Sequence, residues 1–173
     1  MMRKRDDEKG AVKLHSSDSQ EFRVALDAIE QCQTIKNLIE DSGTESAIPL
    51  PNVHSTELAR VIVYCEHLAS VADLEKGGDN SDDPSPGQEV ITRIRKTFTD
   101  DFIINLSQED VFQLIMAANY LNVKPLLDLL CGHVAKMIKG LSTEEIRQEF
   151  KIKNDFTPEE EEEVRRENQW AFD

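Results

Sequence analysis

The sequence predicts a mixed α/β protein, with a small sheet near its start and helices along most of the remainder. Residues 12–15 and 22–24 alternate apolar and polar side chains, which is typical of strands, and polar residues separate the two segments. Farther along, apolar side chains recur at helical spacing behind helix-start signals, as in residues 107–118. The last fifth of the chain contains two more helix starts and predicts a helical extension.

Four short segments open the chain as a hairpin followed by two helices: residues 12–15, 22–24, 25–31 and 34–41. The apolar run 48–53 contains Pro49 and Pro51, so it suits an edge strand or an extended connector, where a missing N–H is tolerated. A longer helix is predicted from Ser55 or Thr56. Its apolar face holds Leu58, Val61, Ile62 and Cys65.

A change of composition follows this helix. Residues 77–88 are rich in Gly, Pro, Ser and Asp, which predicts a flexible acidic loop at about 77–90, with regular structure resuming near Phe98. Ser107 then caps one helix, and Pro125 opens the next, because proline is tolerated in a first helical turn. The apolar stripes of these two helices are Val111, Leu114, Ile115 and Ala118, and Leu126, Leu127, Leu130, Val134, Met137 and Ile138.

The C-terminal segment has the start signals of two helices but little apolar surface. Ser142 with Glu145, and Thr157 with Glu160, have the spacing of capping boxes, in which a hydroxyl and a carboxylate each satisfy one free N–H of the first turn. A lone tryptophan, Trp170, follows the second helix. An aromatic side chain beyond such a charged helix indicates a surface that another protein completes.

Helix electrostatics explain most of the five consecutive glutamates that begin at Glu159. Acids in a first turn complement the helix dipole, and Glu161–Arg165 and Glu162–Arg166 are predicted i,i+4 ion pairs. The apolar residues around these charges are too sparse for a core, but they suit the walls of a partner-binding groove. They are Ile146, Phe150, Ile152, Phe156, Val164 and Trp170.

The composition argues against several function classes. The 173 residues carry a net charge of −14, so a nucleic-acid backbone or an anionic membrane would repel most of the protein. No apolar run is long enough for a membrane span, and the charged start is not a secretory signal, so we expect no membrane partner. Three widely spaced cysteines, Cys32, Cys65 and Cys131, are expected to be small buried hydrophobes rather than a disulfide framework.

No pattern in the chain predicts catalysis, a metal site or a cofactor. Cys65 with His67, and Cys131 with His133, look like metal-ligand doublets, but residues two apart on a helix point in nearly opposite directions. Residues 79–90 have a weak likeness to a calcium loop, yet proline occupies the position that needs glycine. Phosphate loops and nucleophile elbows are also missing from the sequence.

Four segments near the C-terminus together resemble the C-terminal signature of the Skp family: Met137–Gly140, Glu144–Arg147, Ile152–Thr157 and Glu167–Trp170. The predicted order of strands and helices in the first part, with residues 49–53 and 61–65, is similar to the BTB/POZ fold that opens Skp proteins. The resemblance implies a non-catalytic adaptor of SCF-type ubiquitin ligases. Such an adaptor joins F-box proteins to a cullin, which in turn brings in a RING protein. Because the sequence shows no secretory signal and a chain of 19.7 kDa is small enough to diffuse between compartments, we expect the protein in the nucleus and the cytoplasm.

The resemblance also implies a domain plan and two sets of contact residues. It divides the chain into a disordered start at 1–10, a BTB/POZ-like domain at 11–125 and an F-box-binding helical region at 115–173. The implied F-box contacts are Leu127, Cys131, Val134, Ile138, Ile146, Phe150, Ile152, Phe156, Val164, Asn168 and Trp170. The implied cullin contacts are Asn119 and Tyr120, with Ile103, Ile104 and Val111 as further members.

Several positions depart from the family pattern and indicate a diverged, plant-type paralogue. Ser19 stands where the first hairpin usually has glycine, Phe98 and Thr99 replace a common Trp-Asp pair, and Pro125 is unusual. Two alternatives stay open at this stage. One is a BTB-type protein that self-associates or serves another complex, as elongin C does, and the other is a metal-binding protein that uses the cysteines and histidines.

Overall fold

The computed structural model describes residues 10–76 and 86–171. Within these ranges the chain forms seven α-helices and one three-stranded sheet, which confirms the predicted mixed α/β class. The described residues up to His133 form one compact unit and those from Val134 onward form a second, here called the N-terminal and C-terminal units. The predicted disordered start, except Gly10, and residues 77–85 of the predicted acidic loop lie outside the described residues. The domain limits 11–125 and 115–173 remain a prediction.

The sheet has the strand order β2-β1-β3, with β1 (Ala11–Ser16) in the middle. Strand β2 (Glu21–Ala25) pairs antiparallel with β1, and β3 (Ile48–Leu50) pairs parallel with it. Pro49 is exposed in the centre of β3, where the edge position allows a residue without an N–H. The predicted hairpin and edge strand are therefore confirmed.

A single apolar core lies in the N-terminal unit. Besides the sheet, its buried side chains come from α1 (Gln33–Ser42), α2 (Ser55–Lys76), α4 (Gln108–Tyr120) and the first half of α5 (Lys124–Ile138). The largest fully buried side chains include Leu14, Ile35, Leu50, Leu58, Leu114, Leu121, Leu126 and Leu130. Each such side chain contributes roughly 1.5–3 kcal/mol relative to exposure, so this core supplies the unit's main stabilising term.

Regular structure resumes earlier than the sequence predicts. Helix α3 runs Pro86–Ile104, so residues 86–90 are helical and the predicted restart near Phe98 is wrong. Phe98 instead lies far inside the helix, where its ring stacks on His67 of α2 with centroids 3.7 Å apart. Proline and glycine suggested a loop by composition, but proline also suits a first helical turn.

The C-terminal unit contains α6 (Thr143–Glu149), α7 (Pro158–Glu167) and a short 3-10 helix, Gln169–Ala171. Both predicted capping boxes of this unit are present, as is the one at the start of α4. Local sequence therefore sets where these helices begin. Neither α6 nor α7 contains a buried residue.

The three cysteines have two different environments. Cys32 and Cys65 are buried, as predicted, but Cys131 is exposed on α5, so the prediction is wrong for that residue. Leu130 occupies the buried position of α5, and the next residue on a helix is turned about 100° away from it. Cys32 and Cys65 lie in contact, with their Sγ atoms 3.6 Å apart.

None of the helices in the described part of the chain has the length and apolar composition needed to cross a membrane. Across residues 10–76 and 86–171, no group of three or more His, Cys, Asp and Glu side chains is arranged to hold a metal ion. The first part of the calcium-like sequence, residues 79–85, lies outside these ranges.

Two candidate partner-binding surfaces

The C-terminal unit has an open groove of about 970 Å³ along α6 and α7. Its lining includes Leu141 before α6, Arg147 of α6, Phe156 before α7 and Val164 of α7. We call this surface the C-terminal groove. Phe156 and Val164 are exposed, although large apolar side chains are usually covered in a folded protein. An open groove with such walls suits apolar side chains of a partner.

Arg147 and Glu161 join the two helices that form the groove. The Arg147 Nη1 atom donates to Glu161 Oε1 at 2.9 Å, and Asn154 Nδ2 donates to the same oxygen at 2.8 Å. The Arg147 guanidinium also lies over the Phe156 ring, 5.9 Å from its centroid. We call the ion pair the Arg147–Glu161 clasp, because it connects α6 to α7 and to the segment between them.

The glutamates of α7 have distinct partners. The hydrogen bond from Arg147, and then that from Asn154, lowers the pKa of Glu161. Neither predicted i,i+4 pair forms a direct contact among the described residues: Glu161 binds Arg147, and Arg166 approaches Glu163 at 3.9 Å. The charge of Arg165 adds to the lowering of the Glu161 pKa by the hydrogen bonds. The i,i+4 spacing only makes an ion pair possible. Glu161 instead pairs with Arg147 of α6, whose side chain is less exposed than that of Arg165.

Glu145 and Glu160 have capping roles at the two helix starts. Glu145 Oε2 accepts from the Ser142 N–H at 2.7 Å, and Glu160 Oε2 accepts from the Thr157 N–H at 2.8 Å. These backbone hydrogen bonds lower the pKa of both carboxyl groups. Both glutamates therefore have a structural role that needs no partner.

The residues implied for F-box binding differ in exposure. Phe156 and Val164 line the C-terminal groove. Ile152 and Trp170 are exposed, and Trp170 retains 79% of its accessible surface. The remaining residues are half-buried, or exposed in the case of Cys131: Leu127, Cys131, Val134, Ile138, Ile146, Phe150 and Asn168. Leu127 and Cys131 belong to the N-terminal unit, and the other residues of the set belong to the C-terminal unit.

The N-terminal unit exposes an apolar face on α4. Phe112, Met116 and Asn119 recur at i, i+4 and i+7, which places them on one side of the helix, and all three are exposed. Met116 retains 66% of its surface and Ile104, at the end of α3, retains 81%. We call Phe112, Met116 and Asn119, with the half-buried Tyr120, the α4 face.

The structure changes the set of residues implied for cullin binding. Asn119 and Tyr120 lie on the α4 face, and Ile103 is half-buried. Val111 is only 2% exposed and belongs to the core, so it is unable to touch a partner directly. Val111 lies with Leu114 and Ala118 on the buried stripe of α4, which the sequence itself predicts.

Sequence reasoning missed Phe112 and Met116. Both are large apolar residues outside the buried stripe of α4, about 100° and 140° around the helix from Val111. An apolar side chain at such a position points to solvent or to a partner. The periodicity of α4 therefore contained the signal that could have identified them.

Helix α4 is held at both ends. The guanidinium of Arg60 lies 2.6 Å from Asp110 Oδ1, and Ser107 completes a capping box with the same carboxylate. The hydrogen bond from Arg60, followed by that from Ser107, lowers the pKa of Asp110 to about 2. At the other end, Thr34 Oγ1 donates to the Tyr120 carbonyl at 2.8 Å. The α4 face is therefore a fixed platform.

Comparison with known proteins identifies the family. The model of the Skp1 family, tetramerisation domain, matches residues 10–69, and that of the Skp1 family, dimerisation domain, matches residues 124–171. SKP1-like protein 1A of Arabidopsis thaliana is 49% identical over 166 residues, which cover 94% of this chain and 97% of that protein. The chain belongs to the Skp1 family.

Relatives from other organisms match the chain over similar lengths. The E3 ubiquitin ligase complex SCF subunit sconC of Talaromyces marneffei is 45% identical over 95% of this chain and 98% of its own length. The SCF ubiquitin ligase complex protein SKP1a of Dictyostelium discoideum is 46% identical over 94% and 96%. With the POZ-type Skp1 match at residues 10–69, these relatives confirm the predicted family and its POZ-like fold.

The two Skp1-family models leave the α4 face between them, because residues 70–123 fall outside both matches. The C-terminal groove, in contrast, lies inside the second match. The alignments with the relatives cover 94% and 95% of this chain and therefore include both surfaces.

Proposed function

We propose that this chain is the adaptor of an SCF-type ubiquitin ligase and joins F-box substrate receptors to a cullin scaffold. The observation that carries the proposal is identity of 45–46% across nearly the whole chain to proteins named as SCF complex subunits. An adaptor needs two separate binding surfaces and no catalytic residues. It works by raising the effective concentration of a substrate receptor near the ubiquitin-transfer machinery.

The C-terminal groove is our proposed F-box site. Its support is the lack of buried residues in α6 and α7, together with exposed Phe156, Val164 and Trp170. Helices without a fully buried residue gain stability when a partner covers their apolar side chains. Aromatic anchors with aliphatic neighbours are also typical of interface hot spots.

The α4 face is our proposed cullin site. It combines large exposed apolar side chains, Phe112 and Met116, with the polar Asn119 beside them. The contacts of Arg60 with Asp110 and of Thr34 with the Tyr120 carbonyl hold both ends of α4 in place. They therefore reduce the loss of conformational entropy on binding. A rigid face of this kind is suited to a scaffold contact of fixed geometry.

A Ser–His–Asp trio near the first hairpin is better explained as a helix cap than as a catalytic site. Ser55 Oγ donates to Asp18 Oδ2 at 2.6 Å, and the Ser55 N–H donates to Asp18 Oδ1 at 3.0 Å. His54 lies 3.5 Å from Ser55 Oγ and from the same carboxylate. The serine proton is therefore directed to the carboxylate rather than to the imidazole that a triad would need.

Affinity purification of the tagged full chain from its own cells, followed by mass spectrometry, tests the proposal. We expect a cullin and several F-box proteins to be recovered together. Recovery of a cullin without any F-box protein would instead favour an adaptor of another complex, and recovery of only a second copy of the chain would favour self-association.

Two variants separate the surfaces. Asn119→Lys with Tyr120→Lys should reduce cullin recovery by about tenfold or more while F-box proteins are retained, and Phe156→Ser with Trp170→Ala should do the reverse. Asn37→Lys with Glu40→Lys, on the exposed side of α1, is the matched control for two added lysines. Loss of both partners in either variant, with a normal melting curve, would contradict the assignment of surfaces.

A further inference from the structure

Cys32 and Cys65 form a buried pair of thiols that the adaptor function does not use. Their Sγ atoms lie 3.6 Å apart, although the residues are 33 positions apart in the chain. Each is at most 2% exposed. Within the described residues, both are free cysteines, and Cys131 is exposed elsewhere.

The two residues come from different elements of the fold. Cys65 lies inside the long helix α2, whereas Cys32 lies between the 3-10 helix Ala28–Gln31 and α1, with φ −97° and ψ 86°. The Cys32 backbone is nevertheless fixed, because its N–H donates to the Ile29 carbonyl at 2.8 Å and its carbonyl accepts from the Lys36 N–H at 3.1 Å. The side chains therefore meet from two positioned backbones.

A disulfide needs its sulfur atoms about 2.05 Å apart, so the thiols would have to approach by about 1.5 Å. Rotation about the two Cα–Cβ bonds changes sulfur positions on that scale while the backbones stay in place. We propose that Cys32 and Cys65 are an oxidisable pair, in which a peroxide converts the two thiols into a reversible disulfide between the start of α1 and α2.

The chemistry balances with hydrogen peroxide as the oxidant. One cysteine, as thiolate, attacks a peroxide oxygen, and the O–O bond breaks to leave a sulfenic acid and hydroxide. The second thiolate attacks the sulfenic sulfur, the S–S bond forms, and the S–O bond breaks as hydroxide leaves. The two hydroxides combine with the two thiol protons, so peroxide is reduced to two waters while the cysteines lose two electrons.

The environment keeps the pair reduced until the fold opens. The hydrogen bond with Cys32, followed by burial, raises the pKa of the Cys65 thiol, which disfavours the reactive thiolate. Oxidation therefore depends on local opening near the start of α1, after which the disulfide fixes that junction against α2. The consequence is a chain whose stability depends on its oxidation state.

The test uses the full chain with Cys131→Ser, because exposed Cys131 would form disulfides between molecules. The protein is treated with hydrogen peroxide at 25 °C and again just below its thermal midpoint, then unfolded with N-ethylmaleimide and weighed intact. We expect the mass of the oxidised chain to fall by that of two hydrogens, with no maleimide adduct. After reduction of the disulfide, the chain should take up two maleimide groups. The thermal midpoint should rise by about 5–10 °C and return with dithiothreitol.

Two matched variants, Cys32→Ser and Cys65→Ser in the same background, should show neither the mass loss nor the reversible rise. The proposal is overturned if both cysteines still take up maleimide after both treatments, or if peroxide yields only sulfinic acids or disulfides between chains. A fall in the thermal midpoint on disulfide formation would also overturn it, since the bond would then strain the native packing.

Discussion

The first hairpin turn is stabilised by side chains rather than by a glycine. Ser19 has φ 62°, in the left-handed region that glycine adopts at less cost. Asp18 Oδ1 accepts from Ser16 Oγ at 2.6 Å, and the same carboxylate accepts both donors of Ser55 at the start of α2. Asp18 therefore connects the turn to α2, and this tertiary contact compensates for the turn residue that the sequence lacks.

Replacing Asp18 by Asn tests the charge of this connection. The hydrogen bonds from Ser16 and Ser55 lower the pKa of Asp18 from 3.8 to about 2. A carboxyl group whose pKa falls on folding stabilises the native state above its ordinary pKa, and that contribution is lost as pH falls from 3.8 towards 2. We expect Asp18→Asn to lower the thermal midpoint at pH 7, as measured by a thermal melt. The free energy of unfolding should also fall less between pH 3.8 and 2 than in the unchanged chain, as measured by denaturant unfolding at several pH values.

Asp100→Asn is the control for that experiment, because Asp100 is exposed on α3. It should leave both the midpoint and the acid profile close to those of the unchanged chain. Equal acid profiles for Asp18→Asn and the unchanged chain would contradict the role of Asp18.

The helices show which features depend on neighbours in sequence and which do not. The capping boxes at Ser107, Ser142 and Thr157 were predictable because each involves residues three positions apart. The Arg147–Glu161 clasp was not, because it joins residues 14 positions apart on two helices. Its formation depends on how α6 and α7 pack.

The clasp leads to a prediction about α6 and α7. Arg147→Glu should place two negative charges together, loosen the C-terminal groove and speed amide exchange in α7 by roughly two- to fivefold. Adding Glu161→Arg should restore slow exchange, because the pair is rebuilt with its charges reversed. Hydrogen exchange with mass spectrometry gives the rates. Glu163→Gln, which removes an exposed contact of 3.9 Å, is the control and should change little.

Over the whole molecule, burial is uneven. Among the described residues, the buried apolar side chains run from Val12 to Leu130, so the C-terminal unit has none. The N-terminal unit therefore has the core of an independent domain. The C-terminal unit exposes large apolar side chains that the proposed F-box partner would cover.

Deleting residues 141–173 should therefore leave the N-terminal unit folded. We expect the shortened chain to melt cooperatively, because its buried leucines are all retained, and to keep cullin binding while F-box binding is lost. Circular dichroism melts and the affinity purification described above measure these outcomes. F-box recovery equal to that of the full chain would show that the C-terminal groove is not the binding site.

Much of the candidate site was predictable from the sequence. The family signature and the sparse apolar residues such as Trp170 led to the C-terminal unit without any structure. On α4 the sequence led to Asn119, but it also included Val111, which is buried, and omitted Met116, which is exposed. The resemblance identified the region, but the orientation of each side chain required the structure.

By itself, the sequence determined the α/β class, the first hairpin and the edge strand, the helix caps and the family. These properties depend on periodicity, on residues a few positions apart and on motifs, all of which can be read along the chain. Only the tertiary structure decided that Cys32 meets Cys65 and that Glu161 pairs with Arg147. Those features depend on how distant segments pack, because contact energies between such segments override local preference.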